Sequence, residues 1–178
     1  MEAESFDTLL RLGRRHRLFE PAPSTAIDLD RAEIEKLIPH RAPFLFVDRV
    51  TGFDAAEAAV AGTRRIDPED PLFGGHFPQE PIYPGVLQLE IMGQLGLCLL
   101  GLLKNGQFGI VAENQPLQAR FVKIHHAIFL AAIRPGDELV VLAKLIESDE
   151  FTGVCAAQIV KGDAICAFAV MEVYFVDA

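Results

Sequence analysis

A histidine stands in a loop framed by glycine and proline, Gly74-Gly75-His76-Phe77-Pro78, and a glutamate, Glu90, follows inside a strongly apolar stretch. An imidazole titrates near neutral pH, and a carboxyl among apolar side chains is costly unless something satisfies or uses it. Together these two types are the common pair for moving protons. Between them lies Pro84-Gly85, which marks a helix start. Proline is tolerated in a first turn, and glycine lets a ligand approach the backbone. The free N–H groups at that end suit developing negative charge. A carboxylate, a backbone donor and a nearby imidazole make one acid/base constellation, with His76 and Glu90 as its proton-moving groups. Glu90 and Gln94 share a helix face and are the only strongly polar positions from Leu89 to Leu103. The residues alone also fit a plainer reading. In it, Glu90 and Gln94 are satisfied at a border with solvent or a second chain, and His76 is a structural hydrogen-bonding residue of a rigid loop.

The elements that must position these groups follow from pattern. Val86 to Leu103 is the one long helix, apolar on almost every side, so it is expected to be buried nearly all round. A short helix is expected within Asp28–Ile38, capped by Asp28 or Asp30 and ended by Pro39. Strands are expected at 44–53 and 57–66, joined by a turn at Gly52-Phe53-Asp54, and after the long helix at 108–113, 117–123, 127–134, 138–147, 152–161 and 164–176. Pro135-Gly136-Asp137 and Lys161-Gly162-Asp163 are turns. Residues 67–82 are loop. Residues 1–27 read as an extension, with Phe6, Leu9, Leu10 and Gly13 on one face of an amphipathic helix. It either packs on the domain surface or docks a partner. Residues 28–178 form a single domain. The class is α+β, a mostly antiparallel sheet wrapped around one long central helix. A second copy would cover the sheet edge and the helix flank, which predicts a homodimer.

Composition narrows the function classes. The chain has 178 residues, 51% apolar and 23% charged, which is globular. Its net charge of −9 argues against nucleic acid as the main partner. Cys98, Cys155 and Cys166 lie in apolar segments without CxxC spacing, and no metal site is expected from the scatter of histidines and cysteines. Reduced buried thiols and the lack of a signal-peptide apolar core predict a cytoplasmic protein. The longest apolar run, Leu95–Leu103, is too short for a membrane span.

The segment from Leu37 to Val50, Leu-Ile-Pro-His-Arg-Ala-Pro-Phe-Leu-Phe-Val-Asp-Arg-Val, resembles the opening signature of the β-hydroxyacyl-[acyl-carrier-protein] dehydratases of fatty acid synthesis. Gly75-His76-Phe77-Pro78 is similar to that family's histidine motif, and Pro84-Gly85-Val86-Leu87 with Glu90, Met92 and Gln94 to its catalytic helix. Arg134-Pro135-Gly136-Asp137-Glu138-Leu139 resembles its later turn, so the likeness covers about residues 30–177. The resemblance implies a hot-dog fold and a dimer with sites between subunits, His76 from one chain and Glu90 from the other. Assembly as a trimer of dimers is common in that family. It implies removal of water from a 3-hydroxyacyl thioester on an acyl carrier protein, giving the trans-2-enoyl thioester, with no metal or organic cofactor. His76 would take the C2 proton, Glu90 would protonate the C3 hydroxyl, and the N–H near Gly85 would bind the thioester carbonyl. Val86, Phe77, Tyr83 and Gln94 join Gly85 as expected substrate-binding residues. Apolar surroundings are expected to keep Glu90 partly protonated near neutral pH.

The chain departs from the family pattern at Tyr83, where methionine is usual, and at Gly93, where alanine is usual. Both flank the tunnel that the resemblance implies for the acyl chain. The stretch 106–126 is expanded, with Phe129 taken as the register of the family's strand, and it would form a lid or a different partner surface. His125 and His126 read as structural or surface residues, not catalytic ones. Arg64, Arg65, Arg120, Lys123 and Arg134 are candidates for docking an acidic carrier, or are scattered solvated charges. Two other functions remain open: a thioesterase on the same fold, and a non-catalytic acyl-binding subunit.

Overall fold

The structure, a computed structural model, describes residues 3–104 and 115–176. Helix α1 (Ala3–Gly13) is followed by strand β1 (Ala26–Leu29), helix α2 (Arg31–Ile34) and strands β2 (Arg49–Asp54) and β3 (Ala59–Arg65). The long helix α3 (Gly85–Lys104) comes next, then β4 (Ala119–Phe129), β5 (Glu138–Ser148), β6 (Thr152–Lys161) and β7 (Ala164–Phe175). The seven strands form one sheet in the order β1-β2-β3-β5-β6-β7-β4, and every neighbouring pair is antiparallel. The inner face closes on α3, whose Ile91, Met92, Leu95, Cys98 and Leu99 are fully buried. This is the expected sheet around one central helix. By length and apolarity α3 would also suffice to cross a bilayer, which the count over Leu95–Leu103 alone missed. Wrapped by the sheet, it is the core helix.

The N-terminal extension runs across the outer face of the sheet. Phe6, Leu9 and Leu10 of α1 pack on Val154, Ala156, Phe168 and Val170 of β6 and β7, and Phe19 lies on Ala61, Leu142 and Val160. The chain then adds itself to the sheet edge as β1, which begins just before the expected boundary at residue 28. Gln158, fully buried in β6, fixes the bend after α1. Its Nε2 donates to the carbonyls of Gly13 (2.6 Å) and His16 (2.8 Å), and its Oε1 accepts from the Leu18 N–H (2.8 Å). A glutamine there satisfies backbone groups that the last turn of a helix leaves open.

Four expectations shift. The strand expected at 44–53 starts only at Arg49, because Phe44 and Phe46 spend their backbone groups on the Gln94 side chain instead of a neighbouring strand. The turn expected at Gly52–Asp54 lies at residues 55–58, where the Asp54 carboxylate accepts the N–H groups of Ala56 and Glu57. The strands expected at 117–123 and 127–134 are one strand, β4, bent by irregularities between Phe121 and Lys123 and between Ile124 and His126. A bulge absorbs an extra residue without ending the ladder, so a sequence break is not required there. The described part of the expanded stretch is therefore an edge strand. The strand expected at 108–113 lies outside the described residues. The short helix starts where Asp30 accepts the Glu33 N–H and Glu33 returns a carboxylate to the Asp30 N–H. Gly136 and Gly162 take positive φ in the two expected turns.

Candidate active site

His76 is held by the loop that precedes α3. Its backbone N–H bonds the Leu72 carbonyl, and its ring stacks on Phe77 at 4.2 Å. Its Nδ1 lies 2.8 Å from the Ile82 carbonyl. A carbonyl only accepts, so Nδ1 carries the proton and Nε2 is left with its lone pair, the form a base requires.

Tyr83 then turns the chain into the helix. Its N–H bonds the Ile133 carbonyl, and its own carbonyl accepts from Gln88 Nε2 at 3.2 Å. Pro84 precedes Gly85, and the Pro84 carbonyl takes the N–H groups of Leu87 and Gln88. The first N–H groups of α3 have no intrahelical acceptor. His76, Ile82, Tyr83, Gly85, Gln88 and Phe129 line one cavity of about 330 Å³. A second cavity of about 340 Å³ lies at the other end of α3, against Leu100, Leu103 and Phe175, and holds none of the expected site residues.

Glycine at two places on α3 sets how closely β4 can approach. A Cβ on Gly85 would stand 3.0 Å from the Phe129 ring, and one on Gly93 would stand 2.9 Å from the Phe121 ring. Strand β4 thus runs along α3 with a phenylalanine in each notch. Gly93, a departure from the family pattern, is where Phe121 sits.

Glu90 faces another flank. Gln94 Nε2 donates to Glu90 Oε1 at 2.9 Å, and His40 Nε2 stands 3.3 Å from the same oxygen. Gln94 is almost fully buried and is itself fixed, taking the Phe46 N–H on Oε1 and giving to the Phe44 carbonyl. Burial pushes the Glu90 carboxyl up, but the bonds from His40 and Gln94 and the nearby imidazole outweigh it, so its pKa falls below the ordinary value. This corrects the expectation that apolar surroundings would keep Glu90 partly protonated. The surroundings are apolar in composition, yet two polar side chains reach the carboxylate.

Of the expected site residues, the chain brings His76, Tyr83 and Gly85 together, with Phe77 stacked on His76. Glu90 and Gln94 form a separate group with His40. Val86, one turn before Glu90, is 73% exposed and lies between the groups. Sequence reasoning missed His40 and Gln88 as members. His40 lay inside a quoted motif and Gln88 directly after one, but neither spacing nor residue type said that His40 folds onto Glu90. Tyr83 is buried against Phe73, its hydroxyl without a hydrogen-bond partner among the described residues. Burial raises its pKa, against the pull of Arg64.

The candidate cations separate as well. Arg64 is buried, bound to Asp48 and stacked on Phe46, so it is structural. Arg134 is exposed, paired with Glu80 on the His76 loop, and follows the residues that line the cavity. Arg65, Arg120 and Lys123 are exposed.

Residues 38–169 match the model of the FabA-like domain. The chain is 41% identical over 143 residues to the 3-hydroxyacyl-[acyl-carrier-protein] dehydratase FabZ of Aliivibrio fischeri, covering 78% of this chain and 89% of that one. It is 36% identical to the FabZ of Campylobacter concisus, covering 84% and 99%. Among solved structures, the dehydratase heterocomplex ApeI:P from Xenorhabdus doucetiae shares the fold with a TM-score of 0.66 at 16% identity, covering 81% of this chain and 91% of that one. A hypothetical thioesterase from Streptococcus pneumoniae aligns with a TM-score of 0.51 at 12% identity, covering 67% and 80%. With seven antiparallel strands around one helix, the fold is the hot-dog fold, and the chain belongs to the FabA-like family, among relatives that are FabZ-type dehydratases.

Proposed function

We propose that this protein removes water from 3-hydroxyacyl thioesters carried on an acyl carrier protein, giving trans-2-enoyl thioesters for fatty acid or related acyl synthesis in the cytoplasm. The observation that carries this reading is the His76 tautomer, fixed by the Ile82 carbonyl beside the open N-terminus of α3. His76 Nε2 takes the C2 proton. The free N–H at Gly85 receives the thioester oxygen as it gains enolate character. Glu90, through the protonated fraction that its lowered pKa leaves, gives its proton to the C3 oxygen as that bond breaks, and water leaves. An acid, a base and a backbone donor suffice, and the chemistry calls for no metal or organic cofactor.

His76 and Glu90 lie on different flanks of α3, so this reading takes each site from two copies, His76 of one and Glu90 of its partner. Exposed Val86, Phe77, Phe129 and Ile124 and the free edge of β4 support a homodimer through this face. Six copies as a trimer of dimers is the further assembly this reading allows. Arg134, which is exposed and follows two residues after the cavity-lining Ala132, is the cation this reading favours for meeting an acidic carrier.

The test is dehydration of a 3-hydroxyacyl thioester on carrier protein, followed by enoyl formation, with free thiol measured in parallel. His76→Ala and Glu90→Gln are expected to lower kcat by about 10²- to 10⁴-fold. Mixing the two variants is expected to restore activity, because one site in each mixed dimer is intact. Full activity in both variants overturns the roles. Thiol release without enoyl product makes the protein a thioesterase. No recovery on mixing places the site within one chain.

A further inference from the structure

The acid of the proposed reaction has a neighbour that its chemistry does not yet use. His40 and Gln94 both end on Glu90 Oε1, and among the described residues no donor reaches Oε2. One oxygen is therefore held, and the other is left for the departing hydroxyl. The two histidines of the site are set up in opposite senses. His76 has its far nitrogen anchored on a carbonyl, which frees Nε2 as a base. His40 has its far nitrogen, Nδ1, buried without a partner among the described residues, while Nε2 faces a carboxylate. Only Glu90 decides where the His40 proton sits, and a carboxylate favours it on Nε2.

We propose that His40 is a positioning residue for the acid: its Nε2–H holds Glu90 by Oε1 and stabilises the carboxylate that forms when the Oε2 proton leaves. This rests on the reading of Glu90 as the acid. In the step, the C2–H electron pair becomes the second bond between C2 and C3, and its proton goes to His76 Nε2. The C3–O pair leaves with oxygen, which takes the Glu90 proton and departs as water. The carboxylate left behind shares its charge with the His40 N–H. Exchange with solvent returns a proton to Glu90 and removes one from His76.

Gln94 shares the hold on Oε1, but among the described residues no other ionisable group does. Arg41, the next residue, turns its guanidinium to the carbonyls of Ile38 and His40 and to the Glu35 carboxylate. Gln94 is neutral and is fixed by the Phe44–Phe46 backbone. His40 is thus the one ionisable side chain acting on Glu90 among the described residues.

The sign of the effect follows. His40 favours the charged form of Glu90, so its removal leaves burial opposed by the Gln94 bond alone and raises the Glu90 pKa. A carboxyl held low governs the acid limb of the pH–rate profile, and that limb moves to higher pH. His40→Leu removes the donor, whereas His40→Gln keeps an N–H donor without the imidazole. Two readouts are compared. The first is titration of the Glu90 carboxyl carbon by NMR in the full chain without substrate. The second is the pH profile of kcat/KM for dehydration. His40→Leu is expected to raise the Glu90 midpoint by about one unit, tenfold in proton affinity, and to move the acid limb with it. His40→Gln shifts both less, and the alkaline limb stays in place. An unmoved midpoint in His40→Leu overturns the proposal, even if kcat falls, because a loop support would lower activity without shifting the limb. If the wild type forms no enoyl product, the proposed function fails, and the NMR titration still reads the coupling on its own.

Discussion

Gln158→Leu removes the polar side chain at the centre of the N-terminal clamp while keeping its approximate volume. Three hydrogen bonds disappear: two from Nε2 to the Gly13 and His16 carbonyls and one from the Leu18 N–H to Oε1. At about 1 kcal/mol net for each bond, the direct loss is about 3 kcal/mol. Gly13 is buried and cannot recover its bond from water, whereas His16 is exposed and can, which brings the expected loss to about 2–3 kcal/mol. The loss has a ceiling. Once it exceeds the docking energy of α1, that helix lifts off the sheet and the remaining fold carries the transition. Urea denaturation followed by circular dichroism gives the loss, and amide exchange along α1 shows where it falls. The α1 amides are expected to exchange faster while those of β5 and β6 hold. A loss below about 0.5 kcal/mol with unchanged α1 exchange would refute the reasoning, since the three bonds would then be matched by solvent in the unfolded chain.

Gly62→Ala should destabilise the sheet by about 1–3 kcal/mol in a thermal or urea melt, because the new Cβ would meet the Arg49 carbonyl at 2.8 Å and Leu95 at 2.9 Å. Backbone cannot step aside there, so an unchanged melting temperature would argue against this packing. Cys98 and Cys155 are buried, with thiols pushed up to about 12 by burial, and are expected to resist alkylation at pH 8 until the protein unfolds. Mass spectrometry after timed iodoacetamide treatment reads this, and modification of either thiol in the native protein would count against the core as described.

The long helix and the strands of β5, β6 and β7 were legible in the sequence because their apolar runs are bounded by turn residues such as Pro135-Gly136 and Lys161-Gly162. His76 and its loop were legible for the same reason: Gly and Pro frame the histidine. The surroundings of Glu90 were not. His40 reaches it from far along the chain, and Gln94 is tied to Phe44 and Phe46, so a helix that looks apolar in sequence carries a polar cluster. Pattern reports what lies three or four residues away, and tertiary contacts decide a carboxyl's protonation. β4 was misjudged on similar grounds. Its bulges hide the alternation that would have marked one strand, and its Phe121 and Phe129 are matched to glycines on another element.

Strand β4 touches α3 on one side and the territory of α1 on the other. Phe121 and Phe129 rest in the glycine notches of the helix, while His126 lies against Phe168, Ile128 joins the cluster under Phe6 and Leu9, and His125 meets the Phe6 ring edge-on. A single layer of backbone therefore separates the N-terminal extension from Gly85. In engineering terms, α1 is a handle on the N-terminal end of α3. A fusion or trimming that shifts α1 loads one side of a lever whose other side presses, through Phe129, on the helix end where the thioester oxygen would bind.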